Sequence, residues 1–175
     1  NGVSLLALGR GDGDVADVGT WESLPAAKVV IHLAGRSYVP DSWKDSAAFL
    51  HSNVLGTENA LAYCRRHGSR MVYISAYIYG IPETLPIAES HPVKPNNPYA
   101  LSKYLAEQLC GFAGTYQQLP VTVLRLFNVF GPGQRDEFLI PAIVAQVKAG
   151  KEVRVLDLKP RRDYVYLADV LDAIM

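Results

Sequence analysis

Short continuous apolar runs alternate with longer stretches of helical periodicity along this 175-residue chain. Residues 3–8, 29–35, 71–75 and 121–127 are apolar, largely β-branched runs and read as buried strands of a parallel sheet. Residues 152–156 form a shorter fifth run. Between them the spacing predicts helices. Thr20 caps a short one over residues 21–24, stopped near Pro25. A long one runs from Ser42 to Arg66, with Phe49, Leu50, Val54, Leu61 and Ala62 among its apolar positions and Gly68 close behind its end. In the stretch from Asn97 to Leu109, Pro98 suits the first helical turn and Leu101, Leu105 and Leu109 repeat at helical spacing. Residues 139–149 continue the pattern, and the run from Asp169 to Ile174 looks like the first turns of another helix. Strand and helix alternate without internal repeats, which predicts an α/β fold: a doubly wound parallel sheet with helices on both faces. Ligands of such sheets bind beyond the carboxyl ends of the strands. That rule gathers residues 9–14, Ala34, Gly35, Ser75, Phe127 and Asn128 at one edge, with the Tyr99 helix nearby. The Pro-rich loop of residues 81–98 precedes that helix and is long enough to be functional.

Composition adds limits. Apolar residues make up 49% and charged residues 19%, an ordinary soluble globular domain. Seventeen acidic and seventeen basic side chains balance, so there is no electrostatic reason to expect nucleic acid or an anionic membrane as partner. Cys64 and Cys110 sit in helical contexts without metal-type spacing and read as reduced core residues of a cytoplasmic protein; no metal site is expected. No apolar run approaches the roughly 20 residues of a membrane span, and the first residues do not form a signal peptide. The chain opens on Asn1-Gly2 and stops at Met175 inside a helical pattern, which reads as a fragment.

The candidate chemistry centres on Tyr99 and Lys103, four apart on one helix and therefore on one face. A free tyrosine has a pKa of about 10. A lysine ammonium beside it stabilises the phenolate and is expected to draw that value toward neutral pH, where the tyrosine can exchange protons with a hydroxyl or ketone. The segment Gly9-Arg10-Gly11-Asp12-Gly13-Asp14 lacks the spacing and following helix of a phosphate loop, and its aspartates lack the remaining ligands of a calcium loop.

Taken in order, Gly13-Asp14, His32-Leu33-Ala34-Gly35, Asn53-Val54-Leu55-Gly56-Thr57, Ser75-Ala76-Tyr77-Ile78-Tyr79-Gly80, Tyr99-x-x-x-Lys103, the run from Arg125 to Gly133, and Arg162-Asp163-Tyr164 resemble the extended short-chain dehydrogenase/reductase family. Within it, they resemble the NAD-dependent epimerase/dehydratase group that acts on nucleotide sugars. The resemblance covers nearly every residue. It implies a Rossmann-like doubly wound sheet, incomplete here, with a dinucleotide-binding domain over residues 1–130 and the beginning of a smaller substrate-binding region over 131–175. The family's first strand with its glycine-rich loop would precede Asn1, and the rest of its substrate domain would follow Met175.

The same resemblance implies roles. Ser75, Tyr99 and Lys103 would form the catalytic set, with Ser75 orienting the sugar and Lys103 also holding the nicotinamide ribose. Asp14 would accept from the adenine amino group beside the backbone of Val15, a solvated turn aspartate being the plain alternative. Leu33, Ala34 and Gly35 would let the dinucleotide pass close to the backbone. Asn53 would lie near the cofactor, although a structural hydrogen bond to a neighbouring loop accounts for it equally. Asn128 and Arg162 would contact the substrate's diphosphate, with Arg162 otherwise a surface charge. Sugar 4,6-dehydratases carry an Asp-Glu pair directly after the serine position; here Ala76 and Tyr77 stand there, which disfavours that elimination. The expected activity is a nucleotide-sugar 4-epimerase, with an NADPH-dependent 4-keto-sugar reductase as the alternative and a non-catalytic dinucleotide-binding protein as a third reading. The cofactor is NAD or NADP. Gly9 where NAD enzymes carry an acid, followed by Arg10, tilts the expectation toward NADP, whereas a small shift in alignment would bring Asp12 to the ribose. A homodimer through the helices around Asn53 and Tyr99 is also expected.

Overall fold

The computed structural model describes residues 4–175 and divides into two compact units, with the boundary between Arg125 and Leu126. The first unit is built on a three-stranded sheet in the order β1 (Val29–His32), β2 (Arg70–Ala76), β3 (Val121–Leu126). Strands β1 and β2 are parallel, with Val29 opposite Arg70 and His32 opposite Tyr73. Before β1 lies the short helix α1 (Val18–Glu22). Its cap is Asp17, whose carboxylate accepts from the Gly19 amide, and not the predicted Thr20. The carboxylate sits two residues before the amide it serves, the usual reach of an Asx cap.

Between β1 and β2 the expected single helix is interrupted in two places. Helices α2 (Val39–Lys44) and α3 (Ser46–Leu50) are separated by Asp45, at φ −146°, which caps α3 by accepting from Ala48 N. A π-helical turn, His51–Leu55, then leads into α4 (Gly56–His67). The predicted stop holds: Gly68 adopts φ 64°, the left-handed C-cap that glycine enters without a Cβ clash. Helix α5 (Pro98–Gln117) starts because the Asn97 side chain accepts from Ala100 N at 2.8 Å and Pro98 presets the first turn.

Helices α4 and α5 cover one face of the sheet. Ala60, Leu61 and Cys64 from α4 and Ala106, Cys110 and Ala113 from α5 close over Met71 and Tyr73 of β2. Cys64 and Cys110 are free and buried here. On the opposite face Val29 and Ile31 of β1 are exposed while Val72 of β2 is buried, so that face is covered only in part among the described residues. The strand order explains why α4 and α5 share a face. It advances in one direction, and right-handed crossovers that advance in one direction set their helices on the same face.

Of the predicted first strand, Val3 lies outside the described residues, and residues 4–8 pair with no strand; Leu5, Leu6 and Leu8 are exposed. An apolar run becomes a strand only where a neighbour takes its hydrogen bonds. Behind α5, Arg125 of β3 forks onto both Glu107 carboxylate oxygens and donates to the Tyr79 hydroxyl and the Glu89 carbonyl, tying the long loop after β2 to the helix.

The second unit pairs β4 (Asn128–Phe130) in parallel with β5 (Tyr164–Tyr166), and carries α6 (Leu139–Lys148) and α7 (Leu167–Ile174). Neither short strand is evident from the hydrophobic pattern. Phe130 packs edge-on to Tyr164, and Gly131 lies so close to α7 that a Cβ there would meet Leu167 Cβ at 2.7 Å. The predicted strand over residues 152–156 is irregular; the Gln146 amide takes the Arg154 backbone instead, accepting from its N–H at 2.8 Å and donating to its carbonyl.

Gly56 opens α4 directly beneath Val15, where a Cβ would stand 2.7 Å from Val15 Cγ1. A branched neighbour packed this closely cannot swing aside, so Gly56→Ala is expected to destabilise the first unit by about 1–3 kcal/mol through overpacking. Urea unfolding of the variant tests this, and an unchanged midpoint would contradict it.

Candidate active site

The carboxyl ends of β1 and β2 and the first turns of α5 enclose a cleft of ≈ 140 Å³ lined by Leu33, Gly35, Arg36, Ser37, Ile74, Ser75, Tyr99 and Lys103. Each reaches it through local structure. Ser75 is the penultimate residue of β2; it is buried, and its Oγ has no hydrogen-bond partner. A buried hydroxyl left without a partner is costly, and one aimed into a cleft is completed by a ligand oxygen. Tyr99 stands in the first turn of α5, half-buried, with its ring edge-on to Phe49. Lys103 follows one turn later, buried, its ammonium 4.5 Å from the centroid of the Tyr73 ring.

The electrostatics depart from the expectation. Burial alone pushes the Tyr99 hydroxyl up to about 12, and Lys103 does not offset it. Burial also lowers the Lys103 ammonium to about 8, with Cys110 and Glu107 opposing. Desolvation disfavours whichever form is charged, so it moves the two groups in opposite directions. With the ammonium over Tyr73 rather than on the phenol, Tyr99 is a protonated acid at neutral pH.

The turn after β1 brings the backbone to the cleft. Gly35 has φ 148°, and a Cβ there would meet Asn53 Oδ1 at 2.6 Å, so only glycine fits and the wall stays flat. Asn53 itself is buried behind that wall, its amide bonded within the protein to Arg36 and Ser102. Next to it, Thr57 donates its hydroxyl proton to the Asn53 carbonyl at 2.6 Å, so His32 Nε2, 3.1 Å away, must donate to Thr57. Burial, and secondarily Lys103, lower His32 to about 3 and hold it neutral.

Leu33 lines the cleft, and Ala34, exposed on the same turn, does not. The other predicted residues of the first unit lie outside this lining. Arg10 is exposed on a tight turn closed by the Asp12 amide on the Gly9 carbonyl, and the Asp12 carboxylate accepts from Gly9 N. Asp14 is exposed and accepts from Ala16 N; the Val15 carbonyl accepts from Trp21 Nε1 and Asn59 Nδ2. Asn128 and Arg162 belong to the second unit, where the Asn128 amide donates to the Asp163 carbonyl and Arg162 is exposed. Sequence reasoning missed Arg36, Ser37 and Ile74 in the cleft and Ser102 behind it. Arg36 and Ser37 directly follow the glycine of a recognised motif, which was the available signal.

A parallel sheet with a glycine turn after its first strand and a serine, tyrosine and lysine at the carboxyl ends is a Rossmann-like dinucleotide-binding architecture. Comparison with known proteins makes this specific. Residues 6–175 match the NAD dependent epimerase/dehydratase family, and the chain belongs to that family. It is 40% identical over 166 residues to the GDP-6-deoxy-D-mannose reductase of Pseudomonas aeruginosa, covering 89% of this chain and 54% of that protein. The structure of RMD from Pseudomonas aeruginosa complexed with NADPH superimposes with a TM-score of 0.84 at 38% identity, covering 92% of this chain and 60% of that one. The UDP-glucose 4-epimerase of Thermotoga maritima with UDP-glucose gives a TM-score of 0.86 at 29% identity, covering 91% and 55%. The chain spans about half the length of the curated relatives it matches.

The neutral, buried His32 makes a pH prediction. Its pKa in the fold, about 3, lies below the ordinary 6.5, so its contribution to stability is fully present above pH 6.5 and is lost as the pH falls toward 3. Over that window it should remove about 1.4 kcal/mol per pH unit. The stability difference between wild type and His32→Gln should therefore shrink by about 2 kcal/mol on going from about pH 7 to about pH 5. Parallel stability profiles would show that His32 is not held neutral.

Proposed function

We propose that the intact protein is an NAD(P)-dependent enzyme of nucleotide-sugar metabolism that exchanges hydride at C4 of the sugar, and that of the two reactions expected it reduces a 4-keto sugar with NADPH. The observation that carries this reading is the cleft that gathers Ser75, Tyr99 and Lys103 against the glycine wall. The residues fit a dinucleotide and sugar: Gly35, packed against Asn53 behind it, presents bare backbone at the cleft, and the buried Ser75 Oγ there has no hydrogen-bond partner in the protein. A bound nicotinamide supplies the hydride. Ser75 donates to the ketone oxygen and orients it. Tyr99, kept protonated by burial, hands its proton to that oxygen. A ready proton donor suits reduction, whereas oxidising an alcohol, the first half of epimerisation, needs a base at the same position. The identity to the reductase and the Gly9-Arg10 turn point the same way. The close likeness to the Thermotoga maritima epimerase keeps epimerisation as the second reading.

In this reading Leu33, Ala34 and Gly35 flank the dinucleotide, Arg10 meets a 2′-phosphate, and Asp14 with the Val15 backbone meets the adenine. Asn128 and Arg162 serve the sugar's diphosphate, for which a guanidinium fork is suited. The intact protein is also proposed to be a homodimer. Leu101, Leu105, Phe112 and Tyr116 form an exposed apolar stripe along α5, beside exposed Leu50 and Leu55. No helix among the described residues is long and apolar enough to cross a membrane.

Incubating the intact protein with a nucleotide 4-keto sugar should consume NADPH stoichiometrically. Two sugars interconverting without net cofactor turnover would decide for the epimerase. Tyr99→Phe should lower turnover by about 10²–10⁴-fold, and Arg10→Ala should weaken NADPH more than NADH. Retained turnover in Tyr99→Phe would remove Tyr99 from its role. In light scattering, wild type should run as a dimer and Leu105→Glu as a monomer; a monomeric wild type would exclude the stripe as an interface.

A further inference from the structure

Behind the cleft, the side chains of Asn53 and Ser102 join two segments that are far apart in the chain. Ser102 is buried between Tyr99 and Lys103 on α5; its hydroxyl donates to the Tyr99 carbonyl at 2.7 Å and accepts from Asn53 Nδ2 at 2.8 Å. The other Nδ2 proton goes to the Arg36 carbonyl at 3.0 Å, and Asn53 Oδ1 accepts from the Arg36 amide at 2.7 Å. Asn53 thus grips Arg36 by both backbone groups, as a neighbouring strand would, and has no donor left for a ligand. Its placement comes from the π turn His51–Leu55, whose wider ring changes the direction of the side chains relative to a regular helix.

The two segments so joined are the two walls of the cleft: Gly35, Arg36 and Ser37 on one side, Tyr99 and Lys103 on the other. A bond serving only stability could lie anywhere in the core. This one sets the separation between the wall proposed to carry the dinucleotide and the helix that carries the proton donor. Hydride and proton must reach adjacent atoms of one ketone, and a misplacement of about 1 Å can slow such a step about 10²-fold. We infer that Ser102 and Asn53 are positioning residues, a clamp that fixes Tyr99 and Lys103 against the Gly35–Arg36 wall; the catalytic part of this inference rests on the function proposed above.

Ser102→Ala removes one hydroxyl without enlarging the side chain. In the intact protein it should lower kcat about 10–100-fold while the KM for the sugar and the affinity for NADPH stay within about threefold of wild type. Ser102→Thr, which keeps the hydroxyl, should recover most of that loss. An unchanged kcat, or a loss confined to NADPH affinity, would overturn the positioning role. A second measurement needs no activity: amide hydrogen exchange of the intact protein with neither ligand present. Ser102→Ala should speed exchange in residues 35–37 as well as 97–103, although the mutation lies in the second segment alone. Faster exchange in 97–103 only would overturn the clamp. If wild type turned over no nucleotide sugar, the functional proposal would fail and the exchange result would still decide whether the clamp exists.

Discussion

The first unit depends on the close packing of two helices with small side chains on one face of a three-stranded sheet. Ala60 and Cys64 of α4 and Ala106, Cys110 and Ala113 of α5 let both helices settle onto Met71 and Tyr73, and these residues are almost fully buried. Small residues at such a seam allow backbones to approach, and the density that results leaves little room for water. Exclusion of water in turn sets the electrostatics of the cleft, because it removes solvation from every polar group that the same helices carry inward.

Those groups are numerous at the edge of the core. His32, Asn53, Thr57, Ser102 and Lys103 are all buried, and the first four satisfy one another or the backbone. Low local dielectric strengthens such bonds and penalises charge, which accounts together for the neutral His32, the lowered Lys103 and the raised Tyr99. Two hydroxyls in this region, those of Tyr73 and Ser75, are buried without a partner, and of the two only Ser75 lines the cleft.

A second anchor holds the cleft from the far side. Arg125 follows the strand alternation of β3 toward α5 and spends its fork on Glu107, two turns beyond Tyr99 on the same helix. The pair is largely withdrawn from solvent on the Glu107 side, where removing one partner of a buried ion pair typically costs about 3–5 kcal/mol. The same guanidinium holds the loop after β2 through Tyr79 and Glu89. The helix bearing Tyr99 and Lys103 is thus located by two contacts: Ser102, through Asn53, toward the turn after β1, and Glu107 toward β3.

Local chemistry was legible directly from the residues. The runs that became β1, β2 and β3, the start of α5 at Pro98, the glycine stop of α4 and the pairing of Tyr99 with Lys103 all arise from interactions within a few positions, which periodicity and capping record. The ordered motifs placed the chain in its family for the same reason. What no pattern recorded were relations between distant segments. The runs at residues 4–8 and 152–156 resemble strands but found no partner, while Asn128–Phe130 and Tyr164–Tyr166 found each other across more than thirty positions. The interruptions at Asp45 and at His51–Leu55 place Asn53 against Arg36 and Ser102, a contact that spans 49 positions of sequence to the serine. The tyrosine and lysine were visible in the sequence. Their protonation was decided by the fold, because desolvation depends on everything packed around a group and not on the neighbour four positions away.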